Sequence, residues 1–368
     1  MYLNSIVQLL KSYSRSDQPV LSILEFKQKF DAYLEVFLAQ KVASAGIHTS
    51  DESIKKIIAQ AALIAHVGGK RVRPYMAYLG YSMSGGINND TFFDALVGIE
   101  LFHTFALIHD DIIDESDERH AQATVHTFAE NLFPNAKRGK HFGTAQAILA
   151  GDLVFAWSQE ALMWNTKPSC LQDVRSIFSK MIEEVVVGQM IDVSITNTEH
   201  VKKDDIEEKN KLKTARYTFV NPLKIGAALA GDAKTYDAFF EEFGMALGTG
   251  YQVQDDLLDI CGDPKKTGKD SMRDLEEGQH TYFTQYIFDE GTEDQKNTLM
   301  LLFGKVLTES QIAQAKVLFE SSGALAAGRI IIDQKLAAAE KSLTTYSIPQ
   351  AHCDAFTSIL SLIKQRSA

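Results

Sequence analysis

The chain has 368 residues, 45% of them hydrophobic, and a formal net charge of -11. That apolar content is ample for a sizeable core in one or two domains and speaks against disorder. The acidic balance argues against a nucleic-acid binder, which would present a basic face, and allows anion binding only where local cations invert the field.

Seven prolines and few alternating β-branched runs, set against long stretches with apolar residues three and four apart, predict an all-α protein. Met1 to Ser14 lacks a long apolar core followed by a small-residue cleavage site, so an unprocessed N-terminus is expected. The stretch to about Asp51 reads as helical and carries no nameable chemistry. Ile54, Ile57, Ile58, Ala61, Ala62 and Ala65 give the first clear helical stripe. Gly68-Gly69-Lys70-Arg71-Val72-Arg73-Pro74 then concentrates three cations in four positions, with Pro74 limiting how the next helix begins.

The pattern resumes over Phe92 to Ile113, after a break at Gly85-Gly86-Ile87-Asn88-Asn89, and ends on Asp110-Asp111-Ile112-Ile113-Asp114. Breaks at Phe133-Pro134-Asn135 and Asn165 to Ser169 bound a helix over Thr144 to Leu162, and another follows over Ile177 to Val193. Lys202 to Lys213, mixed in sign, reads as a solvated turn with a helix start. Tyr236 to Leu258 leads into Asp255-Asp256-Leu257-Leu258-Asp259, Gly262-Asp263-Pro264 breaks the chain, and Ile312 to Leu343 predicts one further long helical stretch. The segment beyond about Asp289 is helical in pattern and chemically silent. Without a Gly/Ser-rich or Pro-rich linker or an internal repeat, the expectation is a single domain over residues 1–368, its helices antiparallel neighbours. Cys170, Cys261 and Cys353 show no metal or CxxC spacing, which suits reduced thiols in a cytoplasmic protein. No uninterrupted apolar run approaches the roughly 20 residues of a membrane span, so no transmembrane segment is expected.

Asp110 and Asp114 stand four apart, on one helical face with Asp111 beside them, and Asp255, Asp256 and Asp259 repeat the spacing. Each triplet abuts an apolar run, so like charges crowd the end of a buried face, which is costly unless a cation neutralises them. Mg²⁺ suits that role because it takes carboxylate, water and phosphate oxygens together. One such triplet reads more naturally as solvated helix surface; two of identical spacing favour a metal-diphosphate site.

The paired triplets resemble the two aspartate-rich motifs of the trans-isoprenyl diphosphate synthases, the polyprenyl synthetase family, with motif-level similarity over about residues 68–282. The resemblance implies the isoprenoid synthase fold, an antiparallel helix bundle around a deep central cavity. It also implies head-to-tail condensation of isopentenyl diphosphate with dimethylallyl, geranyl or farnesyl diphosphate. Metal-assisted ionisation by three Mg²⁺ ions per site is implied, with Mn²⁺ able to substitute, as is a homodimer.

Residue by residue, Asp110, Asp111, Asp114, Asp255, Asp256 and Asp259 match the metal-holding carboxylates. Lys70 and Arg73 match the residues of the GKRxRP motif that grip isopentenyl diphosphate, Arg with a fork and Lys with a point charge. His103, seven before Asp110 and so about two turns away, matches a histidine contacting the same substrate. Where the family has two adjacent arginines, this chain has Arg119, in the allylic-diphosphate role, and His120, in the isopentenyl-diphosphate role. Lys213-Thr214, Gln252 and Lys269 match allylic-diphosphate contacts. Gln279 replaces a lysine of the DLxxGKxT segment, so with His120 two expected cations are missing. Gln189 and Asp192 of Gly188-Gln189-Met190-Ile191-Asp192 match cavity-wall residues that orient Lys213 or metal-bound water.

Phe105, five before Asp110 and so about 7 Å deeper along the helix, resembles with Ala106 and the more distant Phe102 a floor limiting product length. Geranylgeranyl diphosphate is the expected product and farnesyl diphosphate the next candidate. A class I terpene cyclase would carry an Asn/Ser/Glu second motif and no second diphosphate site. A head-to-head, squalene-synthase-like enzyme matches the basic motifs less well, and a non-catalytic regulatory subunit would be expected to have eroded acidic motifs.

Overall fold

The computed structural model describes residues 20–87, 90–133, 138–198, 201–262 and 271–365. Lys269 therefore lies outside the described residues, as do Met1 to Ser14, Asn88 and Asn89, Pro134 and Asn135, and Asp263 and Pro264.

Helix follows the apolar stripes closely. Ser22 starts α1, Ile23–Gly46, through a capping box: its hydroxyl accepts from the Glu25 N–H while the Glu25 carboxylate accepts from the Ser22 N–H. Phe26, Phe30, Leu34 and Leu38, four apart, are its buried face. Asp51 caps α2, Glu52–His66, whose stripe includes buried Ile57, Ile58, Ala61, Ala62 and Ala65. Then come α3, Val72–Met83, and α4, Asp90–Ile113. A short antiparallel pair, β1 Glu118–Arg119 and β2 Gln122–Ala123, interrupts the all-helical pattern. His120 and Ala121 form its turn at φ +52° and +58°, the left-handed conformation of a tight hairpin. The chain continues through α5, Val125–Leu132, α6, Gly139–Trp164, and α7, Pro168–Thr196.

The run expected as a solvated turn with a helix start is helical from Lys203, as α8, Lys203–Asn210, continuing into a π-helix over Lys211–Val220. Its outer residues are exposed, but Ile206, Lys209 and Asn210 are buried. Then follow α9, Asn221–Ala230, α10, Asp237–Cys261, the single turn α11, Arg273–Glu276, α12, Tyr282–Glu290, and α13, Glu293–Leu302. The stretch expected as one helix from Ile312 to Leu343 is two, α14, Glu309–Ser321, and α15, Ala324–Thr345, because Gly323 turns the chain at φ +84°. Helix α16, Gln350–Lys364, ends the described chain.

The chain divides into two compact units, one of residues 1–175 with Ile225–Ala233, the other of Ser176–Lys224 with residues 234–368. In the first, α4 packs along α6, flanked by α2, α3 and α5. Phe92–Ile113 is long and apolar enough to cross a membrane, and 67% of an apolar 18-residue window within it is buried inside the fold. Glu100 and His103 interrupt its apolar run. In the second unit, α10 is central, packed on α15 and on the π-helix.

Candidate active site

In the first unit the basic motif forms a loop that needs left-handed backbone at Gly68, Gly69 and Arg71, with φ of +78°, +73° and +55°. For arginine that conformation is strained, and its side chain accounts for it. Arg71, 3% exposed, donates Nε to Asp31 Oδ1 at 2.7 Å, Nη1 to Glu100 Oε1 at 2.5 Å and to the Ala65 carbonyl at 3.0 Å, and Nη2 to the His66 carbonyl at 2.8 Å. The loop carrying exposed Lys70 and half-buried Arg73 is thus tied to α1, α2 and α4. Five donors in a fixed fork make this network an arginine's work.

His103 keeps some exposure, yet protein surrounds its ring closely. That burial, with the charges of Arg73, Arg119, Arg71 and His120, holds its pKa well below the usual value. His103 is therefore a neutral imidazole at physiological pH, offering one N–H among cations. His120 lies over Gly68, where an added Cβ would fall 2.5 Å from the imidazole Cγ, so the hairpin turn and the glycine loop touch. The structure thus gathers Arg73, His103, Arg119 and His120.

The first acidic motif ends α4. The Asp114 N–H still donates to the Asp110 carbonyl at 2.9 Å, so the helical turn carries past Ile113 and Asp110 and Asp114 stay one turn apart. Asp111 differs from both. It is 1% exposed at its side chain, and its Oδ1 accepts from Arg119 Nε at 2.8 Å and lies 2.6 Å from Nη2. Burial raises the Asp111 pKa, and the Arg119 charge offsets only part of that. These two groups, both expected to face a ligand, are each other's partners. Deeper along α4, Phe105 packs on fully buried Phe102 (centroids 5.6 Å apart), on Phe155 of α6 (4.9 Å) and on His109 (4.6 Å). Ala106 beside it is half-buried.

In the second unit, Thr214 donates to Gln252 Oε1 at 2.5 Å, and Gln252 Nε2 donates to Asp256 Oδ1 at 2.7 Å. This chain runs from the expected KT pair into the second acidic motif. Asp256 is 6% exposed. Burial, reinforced by Asp255 and Asp259 and opposed by the Gln252 hydrogen bond and Lys209, pushes its pKa to about 7. Asp259 accepts from the backbone N–H groups of Arg273 and Asp274, each at 3.1 Å, which folds the following segment back onto the motif. Asp274 joins the cluster. Crowding by protein, then by Asp259 and Asp256, raises its pKa well above the carboxylate range. Gln279 is half-buried, and its backbone N–H donates to the Asp274 carbonyl at 2.7 Å. Asp192 of α7 meets Lys213 Nζ at 2.6 Å and Lys209 Nζ at 3.1 Å. Gln189, a turn earlier on α7, is half-buried.

Among the described residues no group of three or more His, Cys, Asp or Glu side chains converges tightly enough to hold an ion unaided. Mg²⁺ does not require such a cage, because it commonly takes one or two carboxylates and completes its shell with water and phosphate oxygens. The two acidic motifs supply carboxylate oxygens, with no thiolate or imidazole among them, and burial opposes the charge of Asp256, a donor set that fits that ion.

The polyprenyl synthetase family model matches residues 55–319, and the chain belongs to that family. A short chain isoprenyl diphosphate synthase of Methanocaldococcus jannaschii is 32% identical over 249 residues, 67% of this chain and 71% of that one. A geranylgeranyl diphosphate synthase of Saccharolobus solfataricus is 33% identical over 244 residues, 64% of this chain and 68% of its own length. Among solved structures, a geranylgeranyl pyrophosphate synthase of Corynebacterium glutamicum, complexed with isoprenyl diphosphate and magnesium, superposes with a TM-score of 0.85 at 27% identity, over 92% of this chain and 99% of that one. The fold is the all-α isoprenoid synthase fold.

Four residues that support these motifs, two in each compact unit, carry roles that sequence reading does not assign. Arg71 sits inside the recognised basic motif, and Asp274 inside the DLxxG segment, so a search for buried charge next to each motif would have found both. Lys209 stands four before Lys213 but is camouflaged by the charge run. Phe155 is one aromatic among many on α6.

Proposed function

We propose that this chain is a prenyltransferase that condenses isopentenyl diphosphate head-to-tail with an allylic diphosphate, with geranylgeranyl diphosphate as its main product. The observation that carries the reading is that the chain holds two kinds of group, each within its own compact unit: buried carboxylates held at raised pKa, Asp256 and Asp274, in one, and a cluster of fixed cations around a neutral His103 in the other. A cyclase or hydrolase of a single allylic diphosphate has no use for the second set.

On this reading Asp110, Asp111, Asp114, Asp255, Asp256 and Asp259 hold Mg²⁺, three ions per site, with Mn²⁺ able to substitute. When bound, the metal supplies charge neutralisation at the departing diphosphate. Arg119, Lys213, Thr214, Gln252 and Lys269 bind the allylic diphosphate, and Gln279 contributes a neutral contact where a cation is expected. Lys70, Arg73, His103 and His120 bind isopentenyl diphosphate. His103 donates without adding charge, which spares the cluster a further cation among Arg73, Arg119 and Arg71. Arg119 exchanges Asp111 for the ligand, a trade between two charge-assisted hydrogen bonds. Phe102, Phe105 and Ala106 limit chain growth, and the contact of Phe105 with Phe155 supports a floor braced from α6.

The single family match over residues 55–319 runs through both compact units, which supports one synthetase domain with its core there in the chain of residues 1–368. A homodimer is supported by apolar Ile148 and Leu149, which are 42% and 61% exposed on α6. Three cysteines without disulfide partners suit a cytoplasmic location. The test is incubation of purified protein with Mg²⁺, isopentenyl diphosphate and each allylic primer in turn, with the products sized. A ladder ending at twenty carbons supports the reading. No condensation with any primer refutes it and favours a regulatory subunit.

A further inference from the structure

Asp192 is a single carboxylate, 6% exposed, held between two ammonium groups. The two contacts are unlike. Lys213 Nζ donates to Oδ2 at 2.6 Å, and its side chain is 32% exposed. Lys209 Nζ stands 3.1 Å from Oδ1, its side chain is 10% exposed, and Oδ1 has no aligned hydrogen bond. Lys209 Nζ donates instead to the His280 carbonyl at 2.9 Å. One lysine therefore has room to swing toward a ligand while the other is locked by a backbone carbonyl from a different segment.

Local structure explains how both reach one carboxylate. The helix loosens to the π form at Lys211, which keeps Lys209 and Lys213, four apart, on the face turned to α7. Gly188 of α7 permits the approach: an added Cβ there would stand 2.9 Å from the Lys213 backbone nitrogen and 3.0 Å from Leu212 Cβ. Burial works to raise the Asp192 pKa, but the charges of Lys209 and Lys213 more than offset it and leave it lowered, so the carboxylate is ionised.

Two ammonium groups on one buried carboxylate leave an excess of one positive charge. That excess is what an incoming diphosphate would draw on. If Lys213 were the sole partner, moving it would strand a buried carboxylate, an arrangement proteins avoid because its desolvation is uncompensated. Lys209 removes this penalty. We propose that Lys209 is a positioning residue for the allylic diphosphate, a fixed internal counter-ion that keeps Asp192 paired while Lys213 leaves it to grip the substrate. The inference rests on the proposed role of Lys213 as an allylic-diphosphate ligand. It also gives the chain a fixed cation bonded to the residue beside Gln279, where the basic side chain of the usual pattern is missing.

The test is steady-state kinetics on the full-length Mg²⁺-loaded enzyme, varying each substrate at saturation of the other, for K213M, K209M, K209R, D192N and K209M/D192N. K213M should raise the allylic KM. K209M should raise it about tenfold, equivalent to ~1.4 kcal/mol, with the isopentenyl diphosphate KM within about twofold of wild type. K209R, which keeps the charge, should restore the allylic KM to within about threefold of wild type. In K209M/D192N no carboxylate is left to strand, so its allylic KM should equal that of D192N. A merely structural Lys209 would lower kcat through loss of active protein and leave both KM values alone; that result, or equal rises in both, overturns the proposal. If K209M does not fold, the comparison of K209M/D192N with D192N decides, and a raised KM in the double variant refutes the counter-ion role. An unchanged allylic KM in K213M removes the premise and faults the site reading itself, whereas a raised KM in K213M with none in K209M faults only Lys209.

Discussion

Asp256→Asn exchanges function for stability in a direction that the structure fixes. The amide oxygen of the introduced asparagine would still accept from Gln252 Nε2, so the Thr214–Gln252 chain survives. The buried negative charge does not. In the folded, metal-free protein the Asp256 carboxyl titrates at about 7 against an ordinary 3.8, and at ~1.4 kcal/mol per pH unit that difference is about 4 kcal/mol as a ceiling. The folded value lies above the unfolded one, so between the two the native state binds more protons. Wild-type stability relative to the variant is therefore undiminished below about pH 4, falls as pH rises, and reaches its full deficit above about pH 7. Removing the charge also relieves Asp274, whose pKa the same carboxylates push up.

Urea unfolding in EDTA at a series of pH values between about 5 and 8.5 should show D256N growing more stable than wild type by about 2–4 kcal/mol across the range. With Mg²⁺ and a diphosphate present, the order should reverse, because the wild type, with its full set of carboxylates, gains more from the bound cation. Activity should fall by at least about 10²-fold, the scale of losing one preorganised group that stabilises transition-state charge. A stability difference that does not change with pH would refute the reasoning, since it would place the charge in contact with water or in a permanent ion pair.

Arg71→Met leaves Glu100 buried without its partner and should cost about 3–5 kcal/mol, read by urea unfolding; adding Glu100→Gln should recover part of the loss. His120→Arg should lower the KM for isopentenyl diphosphate by restoring a permanent cation beside the Lys70 loop, and an unchanged KM would show that the turn position does not reach the substrate. Phe105→Ala opens the Phe102–Phe105–Phe155 cluster and should lengthen the product ladder as read by chromatography; an unchanged ladder would mean that the floor lies elsewhere.

The helices and both acidic motifs were legible because each rests on local periodicity: apolar residues three and four apart, carboxylates four apart. Charge placement was less legible. The Lys202 to Lys213 run has the composition of a solvated surface, yet α8 buries Lys209 together with Ile206 and Asn210 while Glu207 and Glu208 stay exposed. Asp111 looks equivalent to Asp110 in sequence, yet Arg119, eight residues on and at the start of a hairpin turn, claims it. Arg71 offered a third cation in the basic motif, but its partner Asp31 stands 40 residues earlier, a distance that local pattern cannot bridge. The missed break at Gly323 has a simpler cause, since Ser322-Gly323 interrupts an otherwise continuous apolar stripe that reads through it.

The most direct test of the central claim is the stoichiometry of diphosphate release from geranyl diphosphate with Mg²⁺, measured with and without isopentenyl diphosphate. A condensing enzyme should release one inorganic diphosphate for each isopentenyl diphosphate incorporated and almost none when that substrate is withheld. Release at an undiminished rate without it would mean ionisation uncoupled from condensation, as in a cyclase or hydrolase, and would contradict the account.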